Sequence, residues 1–322
     1  MRILVTGATG FLGRHVVSQM LGRGHIVRAV IRPGTAALPE SWHDRAELAY
    51  ADLDATAQPE GLFDGIDVLV HLAATMRGTQ EAQFSGTVNA TERLLQAMRR
   101  SGSIKRLVLA SSCSVYDWTA IRGTLTEDSP VETKPSERDS YTAAKLAQEQ
   151  VARRFSIDNN WILSVLRPGF IYGPGAHPVA SAGLRIGPLF LVVAPTARLR
   201  LTHVENCAAA FTEAAEKQIA GTFNIIDDEQ VSAWRYSGRL ARHAAIGSMR
   251  IPVPYAAGLA AAILAHSINR LPFPYRRRSL PGILIPTQYR ARFKPLRFDN
   301  HLAQDQLGWR CKPFFGTECE VI

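Results

Sequence analysis

Arg2-Ile3-Leu4-Val5-Thr6-Gly7-Ala8-Thr9-Gly10-Phe11-Leu12-Gly13 is the stretch whose reading decides the fold class. A short apolar run passes directly into glycines at 7, 10 and 13, and a helical pattern over 12–21 follows at once. Glycines at this spacing let the backbone turn tightly and approach a pyrophosphate, and the last lets the helix pack close to the strand. The phosphates then meet free amide donors at the positive end of the helix. A glycine triplet also marks ordinary turns. Its place between a strand and a helix is what points to a dinucleotide.

Outward from this turn, short β-like runs at 3–6, 26–31, 68–71, 106–110 and 162–166 are rich in Val, Ile and Leu at successive positions. Strands buried on both faces read this way. Helical patterns lie between them at 12–21, 80–100 and 140–155. In the second, Val88, Leu94, Leu95 and Met98 share one face, and Arg93, Arg99 and Arg100 are left for solvent. The alternation predicts an α/β fold, a Rossmann-type doubly wound parallel sheet. After Arg167 the rhythm changes. Pro and Gly crowd 168–195, a helix is expected at 205–217 and a strand at 222–226, and 251–296 shows no strand–helix alternation. Residues 1–170, rejoined by 201–226, are therefore expected to form the dinucleotide-binding domain. Residues 171–200 and 227–322 would form a smaller, less regular substrate-binding region.

The second strand ends in Ile31-Arg32-Pro33, with no carboxylate to receive the ribose hydroxyls of NAD. A guanidinium at Arg32, with Arg28 nearby, can form charge-assisted bonds to a 2′-phosphate, so NADP is the expected cofactor and NAD the alternative. Further on, Tyr141-Thr142-Ala143-Ala144-Lys145 places a phenol and an ammonium one helical turn apart on one face. A phenol titrates near ~10, so bringing it to neutrality needs about 4 kcal/mol of preferential phenolate stabilisation. Lys145 is a source of it. Ser112 follows the strand at 106–110, where hydroxyls face the ligand crevice of an open α/β sheet. It can hold a substrate carbonyl beside Tyr141. Cys113 has no Cys/His pattern around it and is not read as a nucleophile.

With these residues in place the chain resembles the extended short-chain dehydrogenases/reductases, the NAD(P)-dependent epimerase/dehydratase family. The carriers are TGATGFLG at 6–13, ADL at 51–53, HLAA at 71–74, SSCSVY at 111–116, YTAAK at 141–145 and LRPGFIYGPG at 166–175. THVENCAAA at 202–210, FNI at 223–225 and LGW at 307–309 extend the likeness to almost the whole chain. The resemblance implies a phosphate turn at Gly7, Gly10, Phe11, Leu12 and Gly13, and an adenine-flanking pair at Asp52 and Leu53. It implies that His71, Leu72, Ala73 and Ala74 run beneath the cofactor and that Pro168 and Phe170 lie beside the nicotinamide. It further implies a catalytic triad of Ser112, Tyr141 and Lys145, with Lys145 also holding the nicotinamide ribose. Thr87 stands where the family often has Asn. The family commonly dimerises through the helices at 80–100 and 140–155, so a homodimer is expected.

Composition narrows the remaining classes. The chain has 322 residues, 46% of them hydrophobic, and carries a formal charge of +9, with six lysines and 31 arginines. A disordered or disulfide-knot protein is excluded. The arginines are not interleaved with stacking aromatics, so nucleic acid is not an expected partner. A membrane surface met by the basic 271–290 stretch, and a cofactor-binding sensor, are weaker classes. No window of about 18 apolar residues occurs, so no transmembrane segment is expected. Cys113, Cys207, Cys311 and Cys319 form no metal-like pattern, so no metal is expected, and free thiols point to a cytoplasmic location. Cys113 and Ser114 fill the places where a 4,6-dehydratase of the family would carry an acidic pair. The expected reaction is hydride transfer at a carbinol or ketone carbon of a nucleotide sugar or related small molecule, with a less polar alcohol of the 3β-hydroxysteroid type as the alternative. Arg185, Arg198 and Arg200 are candidates to hold a sugar-nucleotide pyrophosphate.

Overall fold

The computed structural model describes residues 1–35, 38–42, 44–56, 58–76, 78–242, 246, 249–270 and 280–315. Seven parallel strands form the main sheet: β1 (Arg2–Thr6), β2 (Ile26–Ile31), β3 (Ala46–Tyr50), β4 (Val68–His71), β5 (Arg106–Ala110), β6 (Ile162–Pro168) and β7 (Gly221–Ile225). Their order is β7-β6-β5-β4-β1-β2-β3. β1 is flanked by β2 and β4, with Val5 opposite Ala29 on one side and Val70 on the other. The chain reverses direction across the sheet at this point, which opens a crevice at the strands' carboxyl ends.

Both faces of the sheet are buried, which is why its strands lack polar alternation. Ile3 and Val5 point to one face, where they meet Val16, Val17 and Met20 of α1 (Phe11–Gly22). Leu4 points to the other, against Leu94, Leu95 and Met98, and this layer is completed by Ala152 and Phe155.

The predicted helix at 80–100 is broken into α2 (Gln80–Phe84), a π turn at Ser85–Asn89 and α3 (Ala90–Ser101). Gly86 sits in that turn, where a Cβ would lie 2.2 Å from the Thr75 hydroxyl, so only glycine lets the helix approach the loop after β4. The third long helix, α4 (Ser140–Asn159), runs four residues beyond its expected end, and α5 (Val204–Glu216) covers the first face beside α1. Strand β3 has no counterpart in the sequence expectations. It is an edge strand of sequence AELAY with Leu48 and Tyr50 exposed, so neither burial nor β-propensity marks it.

Residues 251–296 are more regular than their sequence suggests. A hairpin of Gly183–Ile186 and Leu189–Val193 gains a third, parallel strand at Met249–Val253. Helices α6 (Ala233–Arg242), α7 (Tyr255–Arg270) and α8 (Pro286–Phe293) surround it, and α9 (His301–Leu307) returns Ala303, Leu307 and the following Trp309 to the main core. The arginines at 276–278 and Cys319 lie outside the described residues.

Candidate active site

The sequence-predicted site residues lie mostly at the carboxyl edge of the sheet, just beyond β1 to β6, because parallel strands all end on the same side. Gly7 follows β1 at φ +68°, and a Cβ there would come within 2.8 Å of the Ala73 backbone nitrogen. At Gly13 a Cβ would lie 2.1 Å from the Gly7 carbonyl oxygen. Gly10 caps α1 without a side-chain hydrogen bond. The first amides of α1, at Phe11 and Leu12, are therefore not claimed by a capping side chain, and the turn fits a pyrophosphate.

Arg32, one residue past β2, is exposed and has no side-chain hydrogen bond or ion pair among the described residues. Arg28 is committed elsewhere: it pairs with Glu47 at 2.9 Å and donates to the carbonyls of Gly61, Leu62 and Asp64. Asp52 is exposed beyond β3 and accepts from the Asp54 amide at 3.0 Å, with Leu53 half-buried beside it. Leu72, Ala73 and Ala74 continue from β4. Thr87, buried in the π turn, accepts from the Thr75 amide at 3.0 Å, so it keeps a backbone contact to the loop after β4. Pro168 closes β6, and the half-buried Phe170 lies with its ring 4.3 Å from the Arg200 guanidinium.

Asp139 caps α4 through the Thr142 amide at 2.7 Å, which sets the first turn and with it Tyr141. Burial raises the Tyr141 phenol above its ordinary value, while the neighbouring Ser112 hydroxyl acts in the opposite sense by favouring the phenolate. One turn along α4, the buried Lys145 ammonium donates to the Ala110 carbonyl at 2.7 Å and to Gln148 Oε1 at 2.9 Å. Burial brings it down to about 8. The structure thus sets Ser112 beside Tyr141 and fixes Lys145 at the end of β5. Cys113, beside Ser112, is buried with its thiol pushed up to about 12 by desolvation, which leaves it inert as a nucleophile.

Several polar residues under this surface were not singled out by spacing. Glu149, two turns from Tyr141, takes a bidentate guanidinium from Arg167 at 2.9 and 2.7 Å and a hydrogen bond from Ser111. The paired charges hold its carboxyl below the ordinary range despite burial. His71, read only as part of the segment beneath the cofactor, is buried between Thr6 and Thr91 at 2.6 and 2.8 Å. Desolvation first, then Lys145, hold it down to about 3, so it is neutral. Gln148 and Thr91 complete this layer. The signal for Gln148 and Glu149 was available, since Tyr141, Lys145, Gln148 and Glu149 share one helical face.

Comparison with known proteins places the chain. The model of the NAD dependent epimerase/dehydratase family matches residues 3–225. The chain belongs to that family. Membership makes it an NAD-dependent oxidoreductase or epimerase of the extended short-chain dehydrogenase type. A 3beta-hydroxysteroid-dehydrogenase/decarboxylase of Arabidopsis thaliana is 26% identical over 334 residues, covering 95% of this chain and 75% of the relative. A dTDP-L-rhamnose 4-epimerase of Burkholderia thailandensis is 30% identical over 213 residues, covering 54% and 59%. The solved structure of MoeE5 in complex with UDP-glucose and NAD superposes with a TM-score of 0.67 at 24% identity, covering 98% of this chain and 95% of that one, which establishes the common fold.

The three arginines expected at a pyrophosphate separate within this family fold. Arg185 is exposed and donates to the Gly187 carbonyl, and Arg198 is exposed and donates to Gln230. Only Arg200 is buried, sandwiched between Trp118 and Phe170 and bonded to the Ala291 carbonyl at 2.7 Å.

Proposed function

We propose that the protein transfers a hydride between NADP(H) and the carbinol or ketone carbon of a small molecule, with Tyr141 as proton donor and acceptor. The observation that carries this reading is the Lys145 ammonium fixed at the end of β5, one helical turn along α4 from a Tyr141 phenol that has Ser112 beside it. When bound, the nicotinamide delivers or receives the hydride. Tyr141 moves the proton at the substrate oxygen, Ser112 holds that oxygen, and Lys145 favours the phenolate and orients the ribose. Gly7, Gly10 and Gly13 admit the pyrophosphate. Asp52, Leu53, Leu72, Ala73, Ala74, Thr87, Pro168 and Phe170 line the rest of the cofactor's path. Arg32 selects the 2′-phosphate, since it is unpaired and no carboxylate stands beside it to repel that group. Residues 1–170 with 201–226 carry the cofactor, and 171–200 with 227–322 carry the substrate.

A less polar secondary alcohol is favoured as substrate over a nucleotide sugar. Two of the three arginines offered for a pyrophosphate are tied to neutral partners at the surface, and the steroid-dehydrogenase relative aligns over 95% of the chain. The decisive experiment follows the near-ultraviolet absorbance of reduced nicotinamide with 3β-hydroxysteroids, simple secondary alcohols and nucleotide sugars, each with NADP and NAD. Product isomers are analysed alongside, because an epimerase recycles its cofactor. Turnover of sugar nucleotides alone would overturn the substrate reading, and neither turnover nor isomerisation of any class would overturn the function.

The protein is further read as a homodimer built on α2–α3 and α4. Phe84 is 44% exposed while Met98 is fully buried, which leaves apolar surface on the outer side of that helical pair. A monomeric mass by light scattering at micromolar concentration would rule this out. Free thiols at Cys113, Cys207 and Cys311 support a cytoplasmic location, and among the described residues no helix is long and apolar enough to cross a membrane.

A further inference from the structure

Lys145 is held by two neutral oxygens, and the second of them, Gln148 Oε1, has its own orientation dictated from both ends. An ammonium offers three protons and no lone pair, so Gln148 must turn its oxygen toward Lys145 and its NH2 away. That NH2 meets two acceptors, the Thr91 hydroxyl at 2.9 Å and the Ala73 carbonyl at 3.3 Å. The Thr91 proton is committed to the Thr87 carbonyl at 2.6 Å, so its oxygen is free to accept. His71 Nε2 lies 2.8 Å from that same oxygen and 3.3 Å from the Gln148 NH2, and its Nδ1 lies 2.6 Å from the Thr6 hydroxyl, so either ring tautomer finds partners here. Thr6, His71, Thr91, Lys145 and Gln148 are all buried. In either tautomer the Gln148 amide keeps the same orientation, because Lys145 can only donate to it.

We infer that Gln148, fixed by Thr91, is a positioning residue that holds the Lys145 ammonium charged and aimed, leaving its third proton for Tyr141 and the cofactor ribose. This rests on Tyr141 and Lys145 being the catalytic pair. The charged and titratable groups around them are Glu149 on α4, itself bound by Arg167 and Ser111, the neutral His71 on β4, and Asp139 and Cys113 near the phenol. No carboxylate hydrogen-bonds Lys145 among the described residues. Without the Gln148 oxygen, the ammonium would keep one acceptor in a buried site. The neutral amine would gain ground, and the Tyr141 phenolate would lose the support of the ammonium one helical turn away. Thr87, standing where the family often has Asn, meets this layer through its carbonyl, which accepts from Thr91, while its hydroxyl accepts from the Thr75 amide.

The test needs no substrate. Protein saturated with NADP⁺ is titrated by near-ultraviolet tyrosinate absorbance, and the same background carrying Tyr141→Phe is subtracted to isolate Tyr141. Gln148→Met keeps the volume and removes both polar groups, and it should raise the Tyr141 midpoint by about half a pH unit or more. Thr91→Val should move it in the same direction by less, and Thr91→Ser, which keeps the hydroxyl, should restore it. A Gln148→Met protein that melts earlier but titrates like the wild type assigns Gln148 to packing and overturns the inference. If Gln148→Met does not fold, an unchanged midpoint in Thr91→Val overturns it. If the wild type shows no Tyr141 titration below the ordinary tyrosine range, the catalytic reading fails and the inference falls with it.

Discussion

The sheet-forming residues up to Pro168 and the region from Ala233 to Phe293 bury their apolar side chains in opposite ways. In the first, α3 turns Leu94, Leu95 and Met98 inward and leaves Arg99 and Arg100 in water. In the second, α7 buries only Ala262 fully, while Ile263, Leu264 and Ile268 on its outer side are 44%, 62% and 51% exposed. Tyr255 and Leu259 of α7 touch a small cluster with Tyr289 and Phe293 of α8. The first region is built around a sheet that needs cover on both faces. The second is a layer laid against it, so its energetics are local and its sequence is less constrained by period.

The sharpest break between the two would come from the catalytic edge. Tyr141→Phe should lower kcat by about 10²–10⁴ and leave cofactor affinity near normal, as the phenol moves a proton and binds little. Lys145→Met should damage both. A Tyr141→Phe enzyme that keeps more than about a tenth of its rate would sink the assignment, because under ~1.4 kcal/mol of barrier would then belong to the phenol. Next in size, Leu94→Ala should cost about 2–5 kcal/mol in denaturant unfolding, whereas Leu264→Ala on α7 should stay within about 0.5 kcal/mol. Equal losses at the two sites would erase the contrast between the regions.

Cofactor choice gives a smaller effect. Arg32→Ala should cut NADP affinity about ten- to a hundredfold, or about 1.5–3 kcal/mol, and leave NAD affinity nearly unchanged. An unmodified protein that binds NAD more tightly would mean that Arg32 meets solvent alone. The smallest concerns pH. His71 is held down to about 3 when folded, against 6.5 when free, so its contribution is complete above about pH 6.5 and is lost as pH falls toward 3. From pH 7 to 5 the stability gap between wild type and His71→Gln should narrow by about 2 kcal/mol. Asp227, raised by burial to about 6, works in the opposite sense in the same window but is common to both proteins. A gap that stays constant would show that His71 takes up its proton as readily in the fold as in the unfolded chain.

Legibility followed burial. Strands β2, β4 and β5 begin and end where their apolar runs do, because being covered on both faces leaves no alternative pattern. The π turn escaped notice because Ser85-Gly86 is a weak interruption of an otherwise helical run, and its cause, contact with Thr75, is tertiary. The strand at Met249–Val253 exists by pairing with Leu189–Val193, a partner nearly sixty residues earlier that no local window contains. The glycine turn after β1 and the pairing of Tyr141 with Lys145 on one helical face were readable as geometry because each spacing is set within one turn or one helix. Arg198 and Arg200 were not separable, since residues two apart on an extended segment are expected on one face, and the contacts with Trp118 and Ala291 that bury Arg200 are tertiary.

The cysteines give the two regions separate clocks. Cys207 is enclosed in the main core with Val16, Val70 and Phe211, and Cys113 in the seam where Trp118 and Ile121 meet Ala291, Leu296 and Phe298. Both thiols are buried and pushed up in pKa, so neither can be alkylated until its surroundings open. Alkylation read residue by residue through a denaturant series therefore times the peeling of the outer layer apart from the dissolution of the sheet, using only atoms the protein already carries.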